Sequence, residues 1–281
     1  TTQHEPAARV PHMVGVYNCT WSAAAAFAYF TGGALYDWLG TGAVFWVPCA
    51  LFVALLLHTS RIARQAAGVE VPEVAAVTAP AVTLPVVSAK ASVSPATFLK
   101  LAWLANPFSY VAVYTLLAVM PGIAARLGLS PARAGLFCSV WLFGRLAAFV
   151  VLWKWTGWHY RFAWLACGYM LLAGSFVAIL LAPTLWVIVA AQGIFGVSCG
   201  LMYYSSLFYS LDVGEAKAEH SGLHEAAIGA GIFAGPAVGA LSLYAFPGRP
   251  DVSAGAVSGL LVVGFVAMVA LWTRGRAAAM R

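Results

Sequence analysis

Charge is scarce in this chain: only 9% of its 281 residues are Asp, Glu, Lys or Arg, where a soluble domain carries about a quarter. With 62% hydrophobic residues and a mean hydropathy of +0.87, an ordinary water-soluble fold is excluded. Period-two alternation is also lacking, which argues against a membrane β-barrel. No glycine-rich phosphate loop of the Walker type occurs, so ATP hydrolysis within this chain is not expected. No apolar span carries paired aspartates, a nucleophile beside a base, or a metal triad, so the chain is not expected to be an enzyme. The five cysteines, Cys19, Cys49, Cys138, Cys167 and Cys199, stand singly in apolar segments and read as small buried hydrophobes rather than disulfides or metal ligands. Neither a cofactor nor a metal is expected. Residues 1–12 are polar, with Pro6 and Pro11, and show no signal peptide.

What is present are long apolar runs of roughly 20 residues, the length a helix needs to cross a bilayer, and in lipid a helix satisfies its own backbone. Eight spans are expected, at 13–36, 42–61, 98–123, 132–154, 160–182, 184–209, 221–246 and 253–272. Short turns at Gly40-Thr41-Gly42, Pro183-Thr184 and Pro247-Gly248-Arg249-Pro250 separate neighbours, which should run antiparallel. The expected fold is therefore an all-α polytopic membrane helix bundle.

When the spans are threaded alternately, eleven cations fall on one side: Arg9, Arg61, Arg64, Lys90, Lys100, Lys154, Arg161, Lys217, Arg274, Arg276 and Arg281. Only Arg126, Arg133 and Arg249 fall on the other, and Arg145 lies inside a span. The positive-inside rule then puts both ends in the cytoplasm, and a bacterial inner or plasma membrane is the expected location. The net charge of +6 is spread over loops rather than gathered on one face, so a nucleic-acid partner is not expected. Residues 66–97, rich in Ala, Val and Pro, read as a cytoplasmic linker. It would separate two helices (1–65) from a six-helix bundle (98–281).

Two stretches 207 residues apart share one spacing. Gly15, Ala24, Ala28, Tyr29, Gly32 and Gly33 stand at the intervals of Gly222, Gly231, Gly235, Pro236, Gly239 and Ala240. A small residue about every fourth position gives a helix a smooth stripe against which another can close. Gly193, Gly196 and Gly200 make a third such face.

The repeat pairs the first span with the seventh, and Leu57-His58-Thr59-Ser60-Arg61 with Leu271-Trp272-Thr273-Arg274 at the ends of the second and eighth. This layout resembles the major facilitator superfamily of secondary transporters, whose two six-helix halves are joined by a long cytoplasmic loop. The stripes resemble its fifth-helix motif: Gly, eight residues, Gly, three residues, Gly-Pro, two residues, Gly-Gly. Residues 222–240 keep it except for Ala240, while residues 15–33 have Ala24 for the middle Gly and Ala28-Tyr29 for Gly-Pro. Gly144-Arg145-Leu146-Ala147-Ala148-Phe149 keeps the Gly and Leu of a second family motif but not its acidic and basic pair. The resemblance implies a twelve-helix protein of which this chain is the last two-thirds, with the first four helices absent. It also implies transport of a small solute by alternating access, with a proton or other ion as a further partner beside the lipid bilayer. A sensor or scaffold that keeps the bundle without flux is the alternative.

Arg145 is the most unusual residue, about nine residues from the span end at Lys154 and so roughly 13 Å deep at 1.5 Å per residue. An unpaired Arg there costs at least ~2.5 kcal/mol and should face the interior or a wet cavity. It reads either as an anion-binding or gating group or as a packing group bonded to carbonyls. Asn106, Tyr110 and Tyr114 form an i, i+4, i+8 stripe, Trp141 pairs with Arg145, and Gln192 and Tyr203 share a face. These are substrate-cavity candidates, with interhelical hydrogen bonding as the plain reading.

The densest charge lies in residues 209–225. Asp212, Glu215, Glu219 and Glu225 accompany His220 and His224. They could form a latch with Lys154 or Arg161, a proton site at His224 or Glu225, or simply a solvated helix start. The two histidines lack a third metal ligand, and Ile228 stands where a His-Glu-x-x-His motif needs its second His. Trp153, Trp155, Trp158 and Tyr160 crowd one turn, as an interfacial aromatic belt would.

Overall fold

The computed structural model describes residues 10–66, 93–213 and 217–280. Among them it is helical throughout, without strands: α1 (Val10–Leu39), α2 (Ala43–Ala66), α3 (Pro95–Arg126), α4 (Pro131–Cys138), α5 (Val140–Lys154), α6 (Phe162–Leu181), α7 (Leu185–Asp212), α8 (Lys217–Ala245) and α9 (Pro250–Ala279). Seven helical segments are long and apolar enough to cross a membrane, with α4 and α5 counted as one. The chain is an integral membrane protein with an all-α polytopic bundle.

Eight spans were expected, and α1 is the one that falls outside the seven. It is long enough at 30 residues, but Asn18, Thr20, Ser22 and its glycines dilute its apolar content. Asn18 and Ser22 face protein and are fully buried, while the exposed Thr20 hydroxyl donates to the Val16 carbonyl within the helix at 2.8 Å. Proline cannot donate its backbone N–H, yet Pro107 and Pro121 lie inside α3 and Pro236 inside α8. Neighbouring helices tolerate such breaks in a bundle.

The expected fourth span is two helices. The chain breaks at Ser139, whose hydroxyl donates back to the Leu136 carbonyl at 3.2 Å. Gln192 of α7 donates to the Phe137 carbonyl, at 2.8 Å, just before the break. Gln192 thereby satisfies a backbone acceptor inside the bundle, the plain reading of its polarity, although its Oε1 keeps no partner.

Helices α3 and α5–α9 pack side by side, with α7 seated between α5 and α6 and α3 touching α6, α7, α8 and α9. Helix α1 lies along α4 and α5, and α2 hangs from α1. Both small-residue stripes lie at seams. A Cβ on Gly33 would overlap the Pro131 carbonyl, and one on Gly15 would overlap the Trp153 ring. On α8, Gly231 meets Pro107 and Gly235 meets Val111 and Thr115 of α3. Gly239 faces Ser253 of α9 at 3.2 Å, whereas Gly32 and Gly222 face open space. Third, α7 meets α5 through Gly196, whose Cβ would overlap the Trp141 carbonyl, and Gly200, whose Cβ would stand 2.6 Å from that of Ala148. Asp37 of α1 also accepts from the Ala132 N–H at 2.8 Å, capping an otherwise unpaired donor in the first turn of α4.

Candidate functional site

Arg145 points inward, as its depth requires, and is 4% exposed. Four aromatic rings enclose its guanidinium carbon: Trp21 of α1 at 4.5 Å, Tyr203 of α7 at 5.0 Å, Phe149 of α5 at 5.4 Å and Tyr110 of α3 at 5.9 Å. Its Nη2 donates to the Tyr110 hydroxyl at 3.1 Å, and its Nε has no partner. A desolvated cation–π contact is worth up to about 2 kcal/mol. A hydrogen bond to a charged group adds roughly 1.5–3 kcal/mol. Together these match the cost of bringing an Arg into the bilayer, which explains how the charge stands here among aromatic rings.

Four helices contribute to this centre, so it forms only when α1 docks on α5. Asn18 helps aim Trp21, accepting from its indole N–H at 3.2 Å across one turn of α1. Trp21 and Tyr203 meet edge-on at 5.5 Å, and Tyr114 stacks on Tyr110 at 6.3 Å. Asn106, one turn before Tyr110, is fully buried with both amide atoms unpartnered, and the Asn18 amide nitrogen is likewise unpartnered. Tyr110, Tyr203 and Arg145 are thus brought together, with Asn106 and Tyr114 on the same face of α3. Trp141 lies one turn away with its indole N–H unpartnered and its ring against Phe195, and Gln192 serves the Ser139 break. Trp21, Asn18 and Phe149 join the centre without having been singled out in the sequence. Asn18 alone carried a signal there, as a lone amide in an apolar span.

A second group closes the end of the bundle around residues 155–161. Tyr160 has φ of 53°, a left-handed conformation that a non-glycine residue adopts only when its surroundings hold it. Its backbone N–H donates to the Tyr209 hydroxyl at 2.9 Å, and its own hydroxyl donates to the Asp212 carboxylate. Burial and the adjacent carboxylate raise the Tyr160 pKa, so the phenol keeps its proton. Asp212 is thus engaged by Tyr160, while the Lys154 ammonium lies over the Trp153 ring at 4.2 Å and Arg161 is exposed. Glu219 and Glu225 are exposed, and Glu215 lies outside the described residues. Of the expected aromatic belt, Trp158 turns inward: it is 2% exposed, donates to the Leu152 carbonyl at 3.3 Å and packs on Tyr204 and Phe208.

His159 stacks on Phe208 at 4.1 Å. Burial lowers its pKa from 6.5 to about 4, against an opposing pull from Asp212. Below the ordinary histidine pKa the unfolded chain therefore binds a proton that the folded protein refuses. Stability is unaffected above pH 6.5 and falls as pH drops towards about 4. The His159→Phe variant keeps the stacking and should flatten this limb in thermal unfolding of the solubilised protein between pH 4 and 8. An unchanged acid slope would show that other groups carry it.

No protein-family model, curated protein or solved structure matches the chain. Among the described residues no group of three His, Cys, Asp or Glu side chains is placed to hold a metal ion.

Proposed function

We propose that the protein is a secondary active transporter that moves a small anionic solute across a bacterial-type inner membrane by alternating access, with both ends in the cytoplasm. The observation that carries this reading is Arg145. It is a buried guanidinium held by rings and a phenol, with its Nε unused, beside the unpartnered amides of Asn18 and Asn106. A carboxylate or phosphate oxygen is the acceptor to which such a fork donates, and unpartnered buried amides are suited to bind the rest of a polar solute.

Packing supports it too. The α1 stripe lies on α4–α5, a smooth seam between the two bundles along which one can rock against the other at low cost, while the α8 stripe closes on α3 within the second bundle. Alternating access in a two-bundle transporter needs such seams around a central site. In the major facilitator layout proposed here, α1 and α2 belong to the first bundle and α3 to α9 to the second.

The test is flux of labelled small carboxylates, phosphate and neutral solutes in vesicles holding the full-length protein, with and without a proton gradient. Gradient- or solute-dependent flux of an anion is expected. A second reading, a sensor or scaffold that has kept the bundle, draws on the same Arg145, whose four surrounding rings hold it without any solute. Absence of flux across the panel would favour it.

A further inference from the structure

A second buried polar centre stands one ring away from Arg145. His224 of α8 is fully buried, its Nδ1 lies 2.8 Å from the Ser206 hydroxyl of α7, and its Nε2 has no partner. Its ring meets Tyr203 edge-on at 5.1 Å, and the Arg145 guanidinium stands 5.0 Å from that same Tyr203 ring. One turn earlier on α8, half-buried His220 packs edge-on against Trp103 of α3 at 5.3 Å, with its Nδ1 unpartnered. Trp103 donates to the Ser210 hydroxyl at 2.9 Å, which donates to the Ser206 carbonyl at 2.7 Å. Polar groups on α3, α7 and α8 thus line one seam from His220 to His224.

A histidine used only as filler would cover or bond both ring nitrogens, since a buried polar atom without a partner is a cost. Here one nitrogen is oriented by a hydroxyl and the other is left free, the arrangement of a ring kept ready to take a proton. Around the Tyr203–His224 pair stand Tyr17 from α1, Tyr110 from α3, Arg145 from α5, and His220 and Glu225 from α8. Glu225 is exposed, but its charge reaches Tyr110 and Tyr203.

We propose that His224 is a proton-binding site coupled electrostatically to Arg145, so that a proton and the solute anion load together. The coupling to transport rests on the anion-transporter reading. The proton comes from water at the His220 end, binds a ring nitrogen of His224 without any covalent step, and returns to water on release. With His224 neutral the centre carries the single positive charge of Arg145. Protonation adds a second, and a bound anion offsets the repulsion between them. Anion and proton therefore favour each other's binding, by equal factors at equilibrium.

The test follows the His224 imidazole by nitrogen NMR in the full-length protein in lipid nanodiscs, with its signal assigned by His224→Gln. The imidazole is expected to take up a proton within the pH range over which the protein stays folded. In Arg145→Gln its midpoint should rise by about one pH unit, the size of a like charge removed from ~10 Å at an effective dielectric of ~20. Arg145→Lys, which keeps the charge, should leave it in place and control for folding. In vesicles, His224→Gln should lose the acceleration of anion uptake by an inward proton gradient while keeping exchange down the anion's own gradient. An imidazole that never titrates, a midpoint indifferent to Arg145→Gln, or an undiminished proton response in His224→Gln overturns the proposal. If no form shows flux, the transporter reading falls by itself and the NMR titration still decides the proton site.

Discussion

Arg145→Ala is expected to lower solute flux at least about 30-fold while the protein remains folded. The flux term follows from the cost of truncating one member of a buried, hydrogen-bonded charge pair, roughly 2–5 kcal/mol. That pair exists only when an anion is bound, because the residue's present partners are rings and the Tyr110 hydroxyl. Stability should move much less, since two effects oppose. The variant loses the Tyr110 bond and the cation–π contacts, but it also relieves the cost of holding a charge in the bilayer, at least ~2.5 kcal/mol. Arg145→Lys keeps the charge without the planar fork or the stacking, and should fall between the two. The check is flux beside the unfolding temperature of the same preparations. Unchanged flux with a large loss of stability would make Arg145 a packing residue.

The second large effect concerns the α5–α7 seam. Gly196→Ala should destabilise the protein by about 3 kcal/mol or more, the upper end of overpacking costs. The obstacle is the Trp141 backbone carbonyl, which an added Cβ would overlap, rather than a side chain that can rotate away. The helices must separate, and Arg145 leads from the same face of α5, its backbone N 3.0 Å from that position. Gly174→Ala supplies the control, because a Cβ there meets nothing within 4 Å. Yields of monodisperse protein and unfolding temperatures of the pair measure the difference. Equal values would mean that the seam is looser than its geometry.

The span pattern was legible because apolar length is fixed by the bilayer. The expected 98–123 and 160–182 correspond to Pro95–Arg126 and Phe162–Leu181. The paired stripes were legible as close-packing faces, since a missing Cβ has few other uses at helical spacing, and Gly33, Gly231 and Gly235 do carry backbone contacts. Arg145 announced itself by its cost. Its cage did not: Trp21 and Phe149 sit in spans full of aromatics, and only packing separates a ring that faces lipid from one that faces a guanidinium. The break at Ser139 also escaped, because no Pro or Gly occupies that position and the Gln192–Phe137 bond that supports it spans 55 residues in sequence. Trp158 escaped for the reverse reason. A tryptophan in a turn between spans fits an interfacial belt, yet here the turn folds back on α7.

The most direct test of alternating access is the accessibility of the buried centre from both faces of the membrane. Asn106→Cys, in the full-length protein with its native cysteines replaced, the five of this chain among them, places a thiol at a fully buried position one turn from Tyr110. A membrane-impermeant thiol reagent is applied to each face in turn, with and without a transported anion. Labelling from both faces, with rates that the anion shifts in opposite directions, is the predicted result. Labelling from one face only, or from neither under any condition, would contradict a transporter built around Arg145.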